Sequence, residues 1–209
     1  TADAVIEKII LDKLIPTGID ILSEECGLLI GNKSSSLRFI IDPIDGTVNF
    51  VRGIADCSVS IALFDDDKPI FGVIASYPDG NISWGGIGIG AYCGDYKIKV
   101  STIDTPKKGV LCTGFPSRYK YDAESISLLI DLIAKFGKTR MLGSASQSLL
   151  LVAKGAVEYY SEHEIMLWDV AAGIAILEGA GGKFTMTKGG SDYSLNVSAD
   201  NHVIDQQYL

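Results

Sequence analysis

The chain has 209 residues, 47% of them hydrophobic and 21% charged, with a formal net charge of -8. That balance supports a substantial core and excludes a disordered chain, and an acidic sequence without a Lys/Arg cluster speaks against nucleic-acid binding through phosphate neutralisation. No apolar run approaches the roughly 18–20 residues that cross a bilayer, and the polar start Thr1-Ala2-Asp3 does not read as a secretory signal.

Residues 4–14 place Val5, Ile6, Ile9, Ile10 and Leu14 at helical spacing, which predicts a helix with one buried apolar face, ended by Pro16 and Gly18. An apolar stretch, Ile19 to Leu22, leads into Ser23-Glu24-Glu25. A polar loop over 31–36 then precedes the β-branched run Phe39-Ile40-Ile41, which predicts a buried strand. Ser58 to Phe64 and Ile70 to Tyr77 read as antiparallel strands joined by the solvated turn Asp65-Asp66-Asp67, and Asn81 to Gly85 as a third. Further strands are predicted over 97–100, 109–113, Val157 to Tyr160, Phe184 to Thr187 and Asn196 to Ala199. Helices are predicted over Ala123 to Phe136, with Ile126, Leu129, Ile130 and Ile133 on one face, over Ser146 to Ala153, and over Val170 to about Gly179. Strands in runs with helices between the runs place the chain in the α+β class.

The four cysteines, Cys26, Cys57, Cys93 and Cys112, lack metal-binding spacing. They read as free thiols of a cytoplasmic protein.

The segment Asp42-Pro43-Ile44-Asp45-Gly46-Thr47 directly follows the strand at 39–41. Pro43 and Gly46 demand a sharp turn, which makes the Asp42 and Asp45 carboxylates and the Ile44 carbonyl converge. Carboxylates so close repel unless a cation lies between them, and hard oxygen ligands suit Mg²⁺ or Mn²⁺. The first amides after the turn, at Gly46, Thr47 and Val48, can hold an anion. The same residue types also suit a plain surface turn. The position two before Asp45 is Pro43, so the D-x-D-G-T pattern of haloacid-dehalogenase phosphatases, with its nucleophilic aspartate, is out of register.

Ser23-Glu24-Glu25, Asp42 to Thr47, Trp168-Asp169 with Ala171-Ala172-Gly173, and Glu178 to Gly182 together resemble the inositol monophosphatase family over essentially the whole chain. The resemblance implies a single domain over 1–209, a layered α/β/α/β sandwich of the inositol monophosphatase and fructose-1,6-bisphosphatase type. A metal-binding half would run to about 115, and an α/β half over 116–209 would complete the site. The family's usual N-terminal helix before the Asp3 segment is expected to be absent here.

The resemblance further implies a lithium-sensitive, Mg²⁺-dependent phosphomonoesterase with two or three ions, for which Mn²⁺ could substitute. Glu24, Asp42 and the Ile44 carbonyl would hold one ion; Asp42, Asp45 and Asp169 a second; Glu24 a weaker third. Thr47 would orient the attacking water with support from Asp3. The amides of Gly46 and Thr47 would hold the phosphate, Gly143, Ser144 and Ala145 would line the substrate's ring, and Glu162 would accept a substrate hydroxyl.

Asp169 alone would also read as a helix N-cap, Trp168 as packing, Glu25 as solvated, and His163 and His202 as surface residues. Inositol 1-phosphate is the default substrate, with fructose 1,6-bisphosphate, 3′-phosphoadenosine 5′-phosphate and histidinol phosphate as alternatives. Met166, where inositol-selective members often carry histidine, counts against inositol. An adenosine would need an apolar shelf near the loop after Gly143, and Leu149 to Val152 offer no clear one. The expected partner is a small phosphorylated metabolite, with no nucleic acid and no membrane, in a homodimer. A regulatory, protein-binding role is the reading from another class.

Overall fold

The computed structural model describes residues 1–116 and 119–205. In chain order its elements are α1 (Ala2–Leu14), β1 (Asp20–Ser23), β2 (Gly27–Leu29), β3 (Leu37–Asp45), α2 (Thr47–Arg52), β4 (Cys57–Asp65), β5 (Lys68–Tyr77), β6 (Ile82–Gly86), β7 (Gly90–Cys93) and β8 (Tyr96–Ile98). There follow β9 (Val110–Thr113), α3 (Ala123–Lys135), β10 (Lys138–Arg140), α4 (Ala145–Ala153), β11 (Tyr159–Met166), α5 (Leu167–Gly179), β12 (Lys183–Lys188) and β13 (Ser194–Asp200).

The first eight strands form one sheet in the order β2-β1-β3-β4-β5-β6-β7-β8, and the rest form a second, β10-β9-β11-β13-β12. Side chains alternate across a strand, and that alternation sorts the layers. Leu22, Ile40, Ala62 and Ile74 of the first sheet enter the core that α4 and α5 share with Cys112, Tyr160, Val197 and Ala199 of the second. Ser23, one residue on from Leu22, turns the other way and donates to Glu7 Oε1 of α1 at 2.5 Å. On the far side of the second sheet, Leu111 and Tyr159 pack with Phe136, Leu132 and Ile133, at the end of α3. The result is a layered α+β fold with α4 and α5 between the sheets and further helices outside them.

Helix α5 is buried without a break from Val170 to Leu177. Its small residues let it press on its neighbours. A Cβ built on Gly72 of β5 would lie 2.3 Å from the Ala172 carbonyl oxygen, so strand and helix meet backbone to backbone. Among the described residues no helix is long and apolar enough to cross a membrane, and all four cysteines are free.

Four expectations change. The apolar stripe of α1 is only partly its covered face: Ile6, Ile10 and Leu14 are half-buried, Val5 and Ile9 are 62% and 60% exposed, and the fully buried residues are Asp3 and Glu7. On α3, Ile126 and Ile130 are exposed, and the helix meets the sheet through Leu132 and Ile133, because its packed face is rotated from the most hydrophobic one. The strand expected to end at Tyr160 continues to Met166, through a register irregularity between Glu162 and Ile165. Its polar residues Ser161 to Glu164 hide it from a hydrophobic-run criterion. Helix α5 begins at Leu167, three residues earlier than predicted.

Candidate active site

In a regular strand, residues three apart face opposite sides. Asp42 and Asp45 nevertheless come together, because the β3–β4 pairing slips between them: Asp42 lies opposite Ser60 and Asp45 opposite Ser58. Pro43 and Ile44 fill the irregularity, and the Ile44 amide donates to Asp42 Oδ1 at 2.9 Å, holding that carboxylate in place. Gly46, at φ 87°, then reverses the chain into α2, a conformation that disfavours a side chain.

Asp169 reaches the same point from the first turn of α5. It is the third helical residue rather than the N-cap. Its Oδ2 accepts the Met166 amide at 3.2 Å, which ties the helix start to the site. One carboxylate oxygen from each of Asp42, Asp45 and Asp169 lies within 4.8 Å of the others. Glu24 joins at the end of β1: its amide donates to the Ile41 carbonyl at 3.2 Å, and its side chain is hydrogen-bonded to Asp42.

Three donors converge on Asp45 Oδ2: the Ser144 hydroxyl at 2.6 Å, the Ser146 amide at 2.7 Å and the Ser146 hydroxyl. Ser144, expected to line the substrate, thus also fixes a carboxylate. Ser146 was missed; its position near the start of a predicted helix was the available signal. Asn49 was missed too. Its amide donates to the Leu142 carbonyl at 2.7 Å and the Asp56 carbonyl at 2.9 Å, joining α2 to the loop before Gly143.

Burial pushes Asp42 and Asp169 well above the usual carboxylate range, and the neighbouring negative charges push further. Burial raises Asp45 as well, against the lowering effect of its serine donors. Glu24 is raised by burial and by surrounding carboxylates, while its bond to Asp42 acts the other way. Such a cluster stays ionised only beside positive charge. The nearest ligating groups are all oxygens, with no thiolate or imidazole among them, so the donor set fits a hard divalent cation.

The remaining predicted residues separate into two groups. Gly143, Ser144, Ala145 and Glu162 line one recess of roughly 190 Å³ with Asp45 and Asp169. Phe115, Pro116 and Ile165 line it as well, and the sequence reading did not name them. Glu162 is buried, and burial followed by the Asp45 charge pushes its carboxyl up to about 8. The second group is Thr47 and Asp3. The Thr47 hydroxyl donates to the Ile44 carbonyl at 3.0 Å, the carbonyl expected to face a cation. Asp3 is buried in α1 and raises Glu24 through its charge.

A sequence profile described as "Inositol monophosphatase family" matches residues 1–207. The chain is 33% identical over 187 residues to a "Fructose-1,6-bisphosphatase/inositol-1-monophosphatase" of Aquifex aeolicus, covering 89% of this chain and 69% of that protein. It is 35% identical over 174 residues to a "Nus factor SuhB" of Pasteurella multocida, covering 83% of this chain and 65% of that protein. The chain therefore spans about two thirds of the length of these curated relatives. Among solved structures, the inositol monophosphatase of Anabaena superposes with a TM-score of 0.85 at 33% identity, over 98% of this chain and 81% of that one.

Proposed function

The chain belongs to the inositol monophosphatase family, and from that premise we propose that it hydrolyses a small phosphomonoester with Mg²⁺ held at Asp42, Asp45, Asp169 and Glu24. The observation that carries this reading is the convergence of three carboxylates from β3 and α5 within 4.8 Å, beside a recess of roughly 190 Å³ that a small substrate can enter. Two or three ions, with Mn²⁺ as substitute, belong to the proposal, as does the Ile44 carbonyl as a further ligand. The chemistry that bound Mg²⁺ supplies is activation of a water and neutralisation of charge on the phosphate and leaving oxygen.

The protein's own groups bind and orient. The first-turn amides at Gly46 and Thr47 face an anion, which the positive end of a helix favours. The Thr47 hydroxyl, whose proton lies on the Ile44 carbonyl, presents its lone pairs to a water's hydrogen and so aims the water's oxygen at phosphorus. Asp3 supports this corner from α1. Gly143, Ser144 and Ala145 form one wall for the alcohol. Glu162 meets an alcohol hydroxyl, accepting a hydrogen bond when ionised and able to donate one below a pKa of about 8.

The default substrate is inositol 1-phosphate; the Aquifex aeolicus relative's name supports fructose 1,6-bisphosphate as an alternative. Homodimerisation and inhibition by Li⁺ belong to the same proposal. The test is phosphate release from a panel of phosphomonoesters with Mg²⁺ and with EDTA. Metal-dependent turnover of at least one ester is expected, and turnover unaffected by EDTA would overturn the metal assignment. A second reading, a regulatory role through protein binding, is favoured by the name of the Pasteurella multocida relative; absence of turnover across the panel would leave it in possession.

A further inference from the structure

Beneath α3 lies a second cavity, of roughly 130 Å³, lined by Leu129 and Leu132 of the helix and by Tyr119, Tyr121 and His163. It shares Gly114 and Glu162 with the recess that contains Asp45 and Asp169. Glu162 borders both chambers, and its carboxyl occupies the space a side chain at position 114 would need: a Cβ on Gly114 would sit 2.5 Å from Glu162 Oε1.

The rings form a continuous aromatic set. Tyr119 stacks on His163 with centroids 5.7 Å apart and an interplanar angle of 22°, and meets Tyr121 edge-on at 4.9 Å. Phe115, which lines the carboxylate recess, packs on Tyr121 at 4.9 Å. Burial pushes the Tyr121 phenol up to about 12. Leu128, Leu129 and Leu132 of α3 line the cavity as well. An apolar cavity of about 150 Å³ holds one benzene ring, so this slightly smaller one takes at most a single ring. Thr113, Ser125, Ser161 and Glu162 also line it and can meet a hydroxyl at its edge, while a flat ring stacks on the aromatic faces. The apolar shelf looked for at Leu149 to Val152 is thus supplied elsewhere: Leu149, Leu150 and Val152 are fully buried in the core.

We propose that this cavity receives a single flat ring carried on the alcohol of the phosphomonoester, so that ring-bearing alcohol phosphates are better substrates than polyol phosphates. The assignment rests on the phosphatase reading for its reaction, and for its place on the Gly114 and Glu162 boundary that the two chambers share. The phosphate lies at the carboxylate cluster, the ester oxygen passes Glu162, and the ring enters beneath α3. His163, which reads as a surface residue in the sequence, becomes part of the ring's wall.

The test compares 2-phenylethyl phosphate with inositol 1-phosphate and glycerol 2-phosphate, with Mg²⁺, in the unaltered protein and in Leu129→Trp, which fills the cavity. Leu128→Trp, at an exposed rim position, serves as a second blocking variant that is less demanding of the fold. The unaltered protein should favour the ring ester by about tenfold or more in kcat/KM, a typical yield of one apolar subsite. Either variant should raise KM for that ester by a similar factor and leave glycerol 2-phosphate within about twofold.

Equal kcat/KM for ring and polyol esters, or variants that slow both alike, would overturn the proposal. So would a Leu129→Trp protein that melts higher with unchanged kinetics, which would mark the cavity as loose packing. In parallel, metal-free protein is titrated with 2-phenylethanol while the methyl resonances of Leu128, Leu129 and Leu132 are followed. Shifts confined to these leucines are expected, and their absence at millimolar alcohol would also overturn the ring site. Binding of the alcohol with no turnover of any ester would sink the phosphatase reading and leave the ring site standing.

Discussion

Helices α1 and α5 are both thirteen residues long, and they are built on opposite principles. Helix α5 is apolar all round, lies between the two sheets and spends its one first-turn acid, Asp169, on the carboxylate cluster. Helix α1 has a regular apolar stripe that is only half covered: Ile6, Ile10 and Leu14 are half-buried and Val5 and Ile9 are exposed. Its buried residues are Asp3 and Glu7; Glu7 Oε1 accepts from the Ser23 hydroxyl and from the Cys26 amide at 3.1 Å. A helix can therefore carry acids at the centre of its docked face, beside strands that lead into the site, while part of its aliphatic stripe stays outside. Hydrophobic periodicity identifies both segments as helices. It identifies the buried face only where apolar burial supplies the docking energy.

The largest effect should come from the cluster that α5 completes. Asp169→Asn and Asp45→Asn should each reduce phosphate release by about 10²–10³-fold or more with the fold intact, the scale of losing one electrostatic element; normal turnover in either variant would remove that residue from the ligand set. Next comes core packing. Ile174→Ala, in the fully buried part of α5, should lower unfolding free energy in urea by about 2–5 kcal/mol. Ile9→Ala, on the exposed stripe of α1, should change it by no more than about 0.5 kcal/mol. Equal losses at the two positions would break the contrast between the helices.

Glu7→Ala should fall between these extremes, at about 1–3 kcal/mol, because it strands a buried hydroxyl and an amide. A loss no greater than that of Ile9→Ala would mean that α1 is not held by its acids. A separate test is the pH response of the metal-free protein. Asp42, Asp169 and Glu162 are raised above their unfolded values. Each therefore contributes stability that is present below the ordinary carboxylate range and is lost as pH rises through its folded value. Tm should fall between pH 5 and 8, less steeply in Glu162→Gln, whose parent carboxyl titrates at about 8. Added Mg²⁺ should raise Tm more at pH 8 than at pH 5. A flat profile, or a Mg²⁺ gain greatest at pH 5, would contradict the charge arrangement.

Much of the fold was legible along the chain. The strands around Phe39-Ile40-Ile41, Ser58 to Phe64 and Ile70 to Tyr77 announce themselves by β-branched runs, and the Asp65-Asp66-Asp67 turn by its polarity; all lie where expected. The short strands β2, β7 and β10 were not legible, because three or four residues carry no usable period. The polar middle of β11 was hidden for the opposite reason: Ser161 to Glu164 interrupt an apolar run, while the backbone of the neighbouring strand β13 holds the strand together.

The sequence by itself placed Asp42 and Asp45 at the end of a buried strand and left a cation seat and a plain surface turn both open. Resemblance added Glu24 and Asp169. The tertiary structure decided how they meet: a slipped register brings residues three apart to one side of β3, and α5 delivers Asp169 from across the core. It also decided what surrounds them. The serines on Asp45 Oδ2 and the rings beneath α3 come from segments distant along the chain. Local sequence fixes backbone geometry within a few residues, whereas hydrogen-bond partners and cavity walls are set by which layers pack together.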